Sequence, residues 1–256
     1  MPRLAANLSL LFPELDFLDR FAAAAAAGFR YVEYQFPYDY PADEVAHAAR
    51  GAGVQVVLHN LPAGDMAGGE RGIACLPGRE RQFQSGVALA VGYAKAASCP
   101  RLNCLAGIAP ADRRHFDTLV GNVRYAARRL AEVGVQLVLE PINTRSVPGF
   151  FLTGSRQTIE VLDAAGEGNA FLQYDVFHMQ IMEGDLAATI ERLLARIGHL
   201  QIADVPDRHE PGTGEVNFDF LFAHLDRIGY SGWVGCEYNP RGDTVEGLKW
   251  ARSWLR

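Results

Sequence analysis

The sequence predicts a single (β/α)8 barrel spanning residues 1–256, and three observations carry that expectation. Short apolar runs alternate with longer amphipathic segments, no two strand-like runs are joined by a hairpin turn, and eight such units fit the 256 residues. Strands separated by helical crossovers have to pair in parallel. Eight strand–helix units in ~250 residues is the count at which such a sheet closes on itself. The competing arrangement is a doubly wound open sheet, which places a glycine-rich phosphate turn after its first strand. Here the first run leads into Ser9-Leu10-Leu11-Phe12-Pro13, without a glycine.

The elements follow in order along the chain. Residues 3–9 read as a strand and 15–27 as a helix ended by Gly28. Residues 30–35 are β-branched and aromatic, a strand, and 42–50 form a helix followed by Gly51 and Gly53. A strand at 54–58 precedes a helix at 78–97, whose apolar residues recur at helical spacing. The next pairs are strand 101–105 with helix 112–133, which stops at Gly134, and strand 135–139 with helix 154–165, closed by Gly166. Strand 170–174 with helix 186–196, strand 199–202 with helix 218–228, and strand 233–236 with helix 244–254 complete the eight. Two connections are long, 60–77 and 203–217. Long loops inside a compact domain tend to be binding loops or lids.

Composition narrows the function classes. Hydrophobic residues make up 49% and charged residues 21%, which excludes a mostly disordered chain. No apolar run approaches the ~20 residues of a membrane helix. The net charge of −6 leaves no basic footprint for nucleic acid. The apolar stretch at 4–12 is too short for a secretory signal and is followed at once by Glu14, Asp16 and Asp19. Cys75, Cys99, Cys104 and Cys236 form no CxxC pair and no zinc spacing, so buried free thiols in a reducing cytoplasm are expected. The sequence is compatible with a homo-oligomer.

In a barrel of this kind the C-terminal ends of the strands converge on one mouth. There the fifth strand runs into Glu140, the sixth into Asp175, the seventh reaches Gln201 and the eighth runs into Glu237. Three acids after apolar runs are costly unless paired or bound to a cation. Oxygen-only donors with one neutral amide suit Mg²⁺ or Mn²⁺ better than zinc.

The chain resembles the hydroxypyruvate isomerase family within the xylose-isomerase-like barrels, almost end to end. The likeness is carried by Ala5-Ala6-Asn7-Leu8-Ser9, Phe36-Pro37-Tyr38-Asp39-Tyr40, His59-Asn60-Leu61-Pro62-Ala63-Gly64-Asp65, Gly69-Glu70-Arg71-Gly72 and Leu76-Pro77-Gly78-Arg79-Glu80. It continues through Glu140-Pro141-Ile142-Asn143, Gln173-Tyr174-Asp175, Pro211-Gly212-Thr213-Gly214-Glu215 and Gly235-Cys236-Glu237-Tyr238. The resemblance implies a divalent metal held by Glu140, Asp175, Gln201 and Glu237, with Glu140 and Glu237 as the catalytic proton-transferring pair. It implies a small 2-oxo or 3-oxo hydroxy acid as substrate, hydroxypyruvate and tartronate semialdehyde being interconverted through an enediolate. Related keto-sugar epimerases carry histidine at the position of Gln201, so the resemblance favours the isomerase branch.

A substrate carboxylate calls for a cation, and Arg208 is the first choice because it follows the seventh strand closely. Arg71, on the long 60–77 connection, is the second. His178 lies three residues past Asp175, where related barrels use a histidine on substrate oxygens, and His59 directly follows the third strand. His47, His115 and His224 fall within helices and are expected at the surface. His199 is expected to be structural. A 2-oxo-tetronate isomerase shares nearly all these motifs, and Asp207-Arg208-His209-Glu210-Pro211 and Pro240-Arg241-Gly242 also resemble that subgroup. An abasic-site endonuclease needs a histidine-rich zinc site that this mouth does not offer. A non-catalytic barrel binding a sugar acid is the remaining alternative, disfavoured because both Glu140 and Glu237 are present.

Overall fold

The computed structural model describes residues 3–255. Eight parallel strands close into a barrel in sequence order: β1 (Arg3–Asn7), β2 (Tyr31–Glu33), β3 (Gln55–Asn60), β4 (Arg101–Cys104), β5 (Gln136–Leu139), β6 (Ala170–Asp175), β7 (Ile197–Ile202) and β8 (Trp233–Cys236). Closure comes from β8 pairing with β1, where Leu4 faces Val234 and Ala6 faces Cys236. Around the barrel lie α1 (Arg20–Ala26), α2 (Ala42–Ala52), α3 (Glu80–Ala97), α4 (Arg113–Ala131), α5 (Ser155–Ala165), α6 (Val176–Met182), α7 (Leu186–Leu193), α8 (Phe218–Arg227) and α9 (Thr244–Gly247).

The helix boundaries follow local chemistry. Asp112 starts α4 by accepting the His115 N–H at 3.0 Å, and Asn217 starts α8 by accepting the Phe220 N–H at 3.0 Å. Gly53 and Gly166 end α2 and α5 in the left-handed conformation, φ 71° in each case, where a side chain would be strained. The helix expected over 15–27 divides into a 3-10 turn, Phe17–Asp19, and α1. The one expected over 244–254 stops early and tightens to a 3-10 turn at Leu248–Ala251. Gly247 favours helix poorly, and a Cβ there would lie 2.5 Å from Glu210 Oε1. Helix α6 was not foreseen. Its sequence, Val-Phe-His-Met-Gln-Ile-Met, continues the apolar character of β6 without a break, and the Asp175 carboxylate caps it by accepting the Phe177 N–H at 2.8 Å.

Apolar packing occurs in two places. The main core lies between strands and helices, with Phe21, Tyr34, Leu119, Leu130 and Phe222 among its largest fully buried members. A small cluster of Ala5, Val57, Leu58 and Val138, with Tyr31, Phe171 and Trp233 against it, belongs to the strands alone and plugs the barrel. Further along the strands the buried side chains are polar: Asn7, Glu33, Gln173, His199 and Gln201. The fully buried Glu33 carboxylate accepts from Asn7 Nδ2 at 2.9 Å and Gln201 Nε2 at 2.8 Å, and meets His199 Nε2 at 2.6 Å. It leaves no room for a neighbour. A Cβ on Gly235 would lie 2.3 Å from both of its oxygens.

Candidate active site

The strand ends deliver three acids to one buried place. Glu140, one residue past β5, is held by Asn103 at the end of β4, whose Nδ2 donates to Oε2 at 2.7 Å. Asp175 ends β6; its Oδ1 caps α6, while Oδ2 is buried and has no hydrogen-bond partner among the described residues. Glu237, one residue past β8, accepts at Oε1 from Gln35 Nε2 at 2.8 Å and Asn7 Nδ2 at 3.3 Å. Its Oε2 accepts from Arg208 Nη2 at 2.5 Å, and the same Arg208 nitrogen stands 3.6 Å from Asp175 Oδ2. Gln201 sits in β7 beside Asp175, with Nε2 on Glu33 and Oε1 accepting from Gln173 Nε2 at 2.5 Å.

Glu140, Asp175 and His178 bring one donor atom each within 4.8 Å of one another, a cluster compact enough for a metal ion. The hydrogen bonds of His178 decide its part. Its Nδ1 faces two donors of Asn143, the side-chain Nδ2 at 2.6 Å and the backbone N–H at 3.4 Å. The Asn143 amide is oriented by its Oδ1, which accepts the Ser146 N–H at 2.7 Å. Nδ1 therefore accepts, and the ring proton sits on Nε2. That nitrogen points toward Asp175 Oδ2 at 3.5 Å and Glu140 Oε1 at 3.8 Å. Burial, with the nearby Arg208 charge, holds the ring pKa well below its usual range, so it stays neutral. A neutral imidazole with its proton on Nε2 offers this site a hydrogen bond and not a lone pair. Asp175 Oδ2 remains as the orphaned acceptor that a cation would satisfy, with Glu140 and Glu237 nearby.

Arg208 reaches the acids from the 203–217 connection. It lies at φ 59°, a left-handed conformation that an arginine adopts only under restraint. Asp204 supplies the restraint. Its Oδ1 accepts the N–H groups of Val205 (2.9 Å) and Val216 (3.0 Å), and its Oδ2 accepts those of Gly212 (2.9 Å) and Gly214 (2.8 Å). The Arg208 N–H in turn donates to the Asp204 carbonyl at 2.9 Å. Nothing in the sequence singled out Asp204, although Gly214 marks the close approach it gathers, since a Cβ there would lie 2.8 Å from Asp204 Oδ1. Asn103, Gln35 and Asn143 were likewise missed. Each is an ordinary amide whose role exists only once the strand ends meet.

A cavity of about 170 Å³ opens above the acids, walled by Glu140, Glu237, His178, Arg208 and Arg71 with apolar Phe36 and Ile142. Arg71 also ties its own loop through the carbonyls of Met66 (3.1 Å) and Glu70 (2.7 Å). His59 does not line this cavity; its neighbour Asn60 does. The register of β2 against β3 shifts at Val32/Glu33, and the His59 ring stacks on Tyr34, 5.8 Å between centroids. Its Nδ1 lies 3.2 Å from the Asn60 carbonyl, and burial lowers its pKa to about 4. His199 pairs with Glu33 as a structural residue. His224 is only 3% exposed, not at the surface as expected, because α8 turns it inward.

Burial raises all three carboxyl groups. Glu140 is pushed well above the usual carboxylate range by burial and by the charges of Glu237 and Asp175. Glu237 rises to about 7 from burial, with Arg208 pulling it back, and Asp175 rises for the same reason. Two neighbouring carboxyl groups, both raised by burial and only one of them paired closely with a guanidinium, are placed to divide donor and acceptor roles.

A closed (β/α)8 barrel with acids at its strand ends and guanidinium groups lining its mouth is the scaffold of enzymes that act on small polar molecules. Residues 21–255 match the xylose isomerase-like TIM barrel model, and the chain belongs to that family. It is 52% identical to the hydroxypyruvate isomerase of Escherichia coli (strain K12), over 98% of each chain. It is 45% identical to a 2-oxo-tetronate isomerase of Pectobacterium atrosepticum, over 100% of this chain and 98% of that one. A crystal structure described as AP endonuclease, family 2 from Brucella melitensis superposes with a TM-score of 0.97 at 45% identity, covering 99% of both chains.

Proposed function

We propose that this protein is an isomerase that interconverts hydroxypyruvate and tartronate semialdehyde by proton transfer between adjacent carbons. The observation that carries the reading is the pairing of two buried carboxyl groups, Glu140 and Glu237, in one cavity that also holds a guanidinium. One carboxylate removes a proton from C3 to give the enediolate, the C3 hydroxyl proton is passed to the C2 oxygen, and the second carboxyl returns a proton to C2, leaving the aldehyde at C3. Arg208 and Arg71 take the substrate carboxylate, and His178 donates its Nε2–H to a substrate oxygen. The full-length likeness to hydroxypyruvate isomerase supports the substrate.

The donor set fits a divalent cation, on the ground of the orphaned Asp175 Oδ2. Glu140, Asp175 and Glu237, with the Gln201 amide oxygen, would hold Mg²⁺ or Mn²⁺. When bound, the cation supplies Lewis-acid polarisation of the substrate carbonyl. Arg208 competes with it for Glu237, so each is a counter-ion for the acids the other does not neutralise. The four buried free cysteines suit a reducing cytoplasm, and among the described residues no helix is long and apolar enough to cross a membrane.

The second reading, isomerisation of the four-carbon 2-oxo-tetronate, is favoured by the 45% relative of that name. The cavity of about 170 Å³ is well under the ~300 Å³ at which drug-sized pockets begin, in keeping with a small acid. The deciding experiment compares kcat/KM for the two acids after EDTA treatment and after addition of Mg²⁺ or Mn²⁺. We expect hydroxypyruvate to be preferred at least ~10-fold, a difference of ~1.4 kcal/mol, and activity to return with metal. A preference for the four-carbon acid overturns the substrate, and no turnover of either overturns the enzyme.

The same site makes stability depend on pH. Folding raises the Glu237 carboxyl from its ordinary 4.5 to about 7, so between these values the folded chain keeps a proton that the unfolded chain has lost. Its contribution is fully present below the lower value and is lost as pH climbs through the upper one. We expect the Tm of EDTA-treated protein to fall as pH rises across this window. Mn²⁺ should raise Tm more at the top of the window than at the bottom. A metal effect independent of pH would exclude these acids as its ligands.

A further inference from the structure

A second charged cavity lies at the opposite end of the barrel, where the strands begin. Trp233, the first residue of β8, has two guanidinium groups over its ring, with the central carbons of Arg3 and Arg101 each 4.5 Å from the centroid. The two arginines differ in what they bind. Arg3 donates to the Ser231 carbonyl. Among the described residues, Nε and Nη1 of Arg101 are buried and have no hydrogen-bond partner. The groups that act on its charge are Tyr230, Cys99 and Arg3, none of them a carboxylate, and burial works against the charged form.

A buried guanidinium without an anion is costly; the Nε and Nη1 edge of Arg101 is closed off by protein, and the side chain is open on its remaining edge. It lines a cavity of about 220 Å³ together with Gln136, Tyr230, Ser231 and Gly232. Gln136 begins β5 directly beside Arg101 in β4, so an amide and a guanidinium front the same space. The mouth that holds Glu140 and Glu237 is at the other end of these strands, so this cavity shares no residue with it.

We infer that this cavity binds a small oxyanion, with Arg101 as its counter-ion and the Gln136 amide as a second donor. A guanidinium donates to a carboxylate or to a phosphate group alike. The cavity accommodates one such group on a compact molecule.

The test is the Tm of the intact protein titrated with inorganic phosphate and, separately, with acetate, at constant ionic strength set by chloride. We expect a saturable rise with at least one of the two, the tighter-binding anion naming the class. Arg101→Met should weaken binding at least tenfold, and Gln136→Leu, which keeps the cation, should weaken it severalfold. Tryptophan fluorescence should change with the same midpoint, and that change should be absent in Trp233→Phe. No saturable rise with either anion overturns the site, as does an equal rise in Arg101→Met. A rise that survives Arg101→Met but is lost in Arg208→Met places the anion at the opposite mouth and overturns it too. Because none of these readouts uses turnover, the outcome is independent of the proposed reaction.

Discussion

Glutamine in place of Glu140 or Glu237 removes turnover while leaving the barrel folded. We expect kcat to fall by ~10²–10⁴-fold for each, the range supplied by a positioned acid or base. Each replacement keeps the oxygen that its neighbours use: Asn103 still finds an acceptor at position 140, and Gln35 and Asn7 find one at 237. Glu140→Gln should not melt below the parent protein, because it deletes an acid that burial holds above its ordinary pKa, whereas Glu237→Gln also leaves Arg208 without its nearest carboxylate and should melt somewhat lower. The two differ in KM. Glu237→Gln takes away the carboxylate on Arg208 and alters substrate-carboxylate binding, whereas Glu140→Gln leaves Arg208 in place. Steady-state kinetics with melting curves on both variants decide the matter, and parent-like kcat in either one removes the two-carboxylate scheme.

Asp204→Ala should be the most damaging change outside the acids themselves. One carboxylate, 1% exposed, gathers four backbone N–H groups of the connection that carries Arg208. Each buried donor left unsatisfied costs ~1–3 kcal/mol, and relaxation of the loop toward water recovers part of the total. A loss of ~3 kcal/mol is expected, with kcat/KM falling because Arg208 no longer has a reason to hold its left-handed backbone. Asparagine should not rescue the variant. Its Nδ2 would confront two N–H donors where an oxygen is needed. Urea denaturation with kinetics on both variants tests this; parent-like stability in Asp204→Asn would show that two acceptor bonds suffice.

The barrel was legible because its signal is repetitive. Eight alternations of apolar run and amphipathic helix allow little else, and glycines such as Gly53 and Gly166 mark helix ends by local chemistry alone. The acids were legible for a similar reason, since a charged residue after a buried strand needs a purpose. The partners of those acids were not legible. Asn7, Gln35 and Asn103 reach Glu237 and Glu140 across strands far apart in sequence, and no local pattern encodes which amide meets which carboxylate. His59 shows the same limit from the other side. It stands at a strand end like Glu140, yet the register shift between β2 and β3 presents Asn60 to the mouth and His59 to Tyr34. Helix α6 escaped because its residues are as apolar as the strand they follow, and only the Asp175 cap divides the two.

Gly235 and Glu33 occupy what is in effect a single site shared between two strands. Any side chain at position 235 takes the volume in which the Glu33 carboxylate lies, and any shortening of Glu33 opens a void that a glycine cannot fill. The two positions are thus constrained to drift as a pair, and the shared space acts as an evolutionary lock on the polar column beneath the mouth. Among relatives, a larger residue at the first should travel with a smaller one at the second. Such exchanges should be accompanied by changes at His199 and Gln201, which lose their common acceptor in the same step.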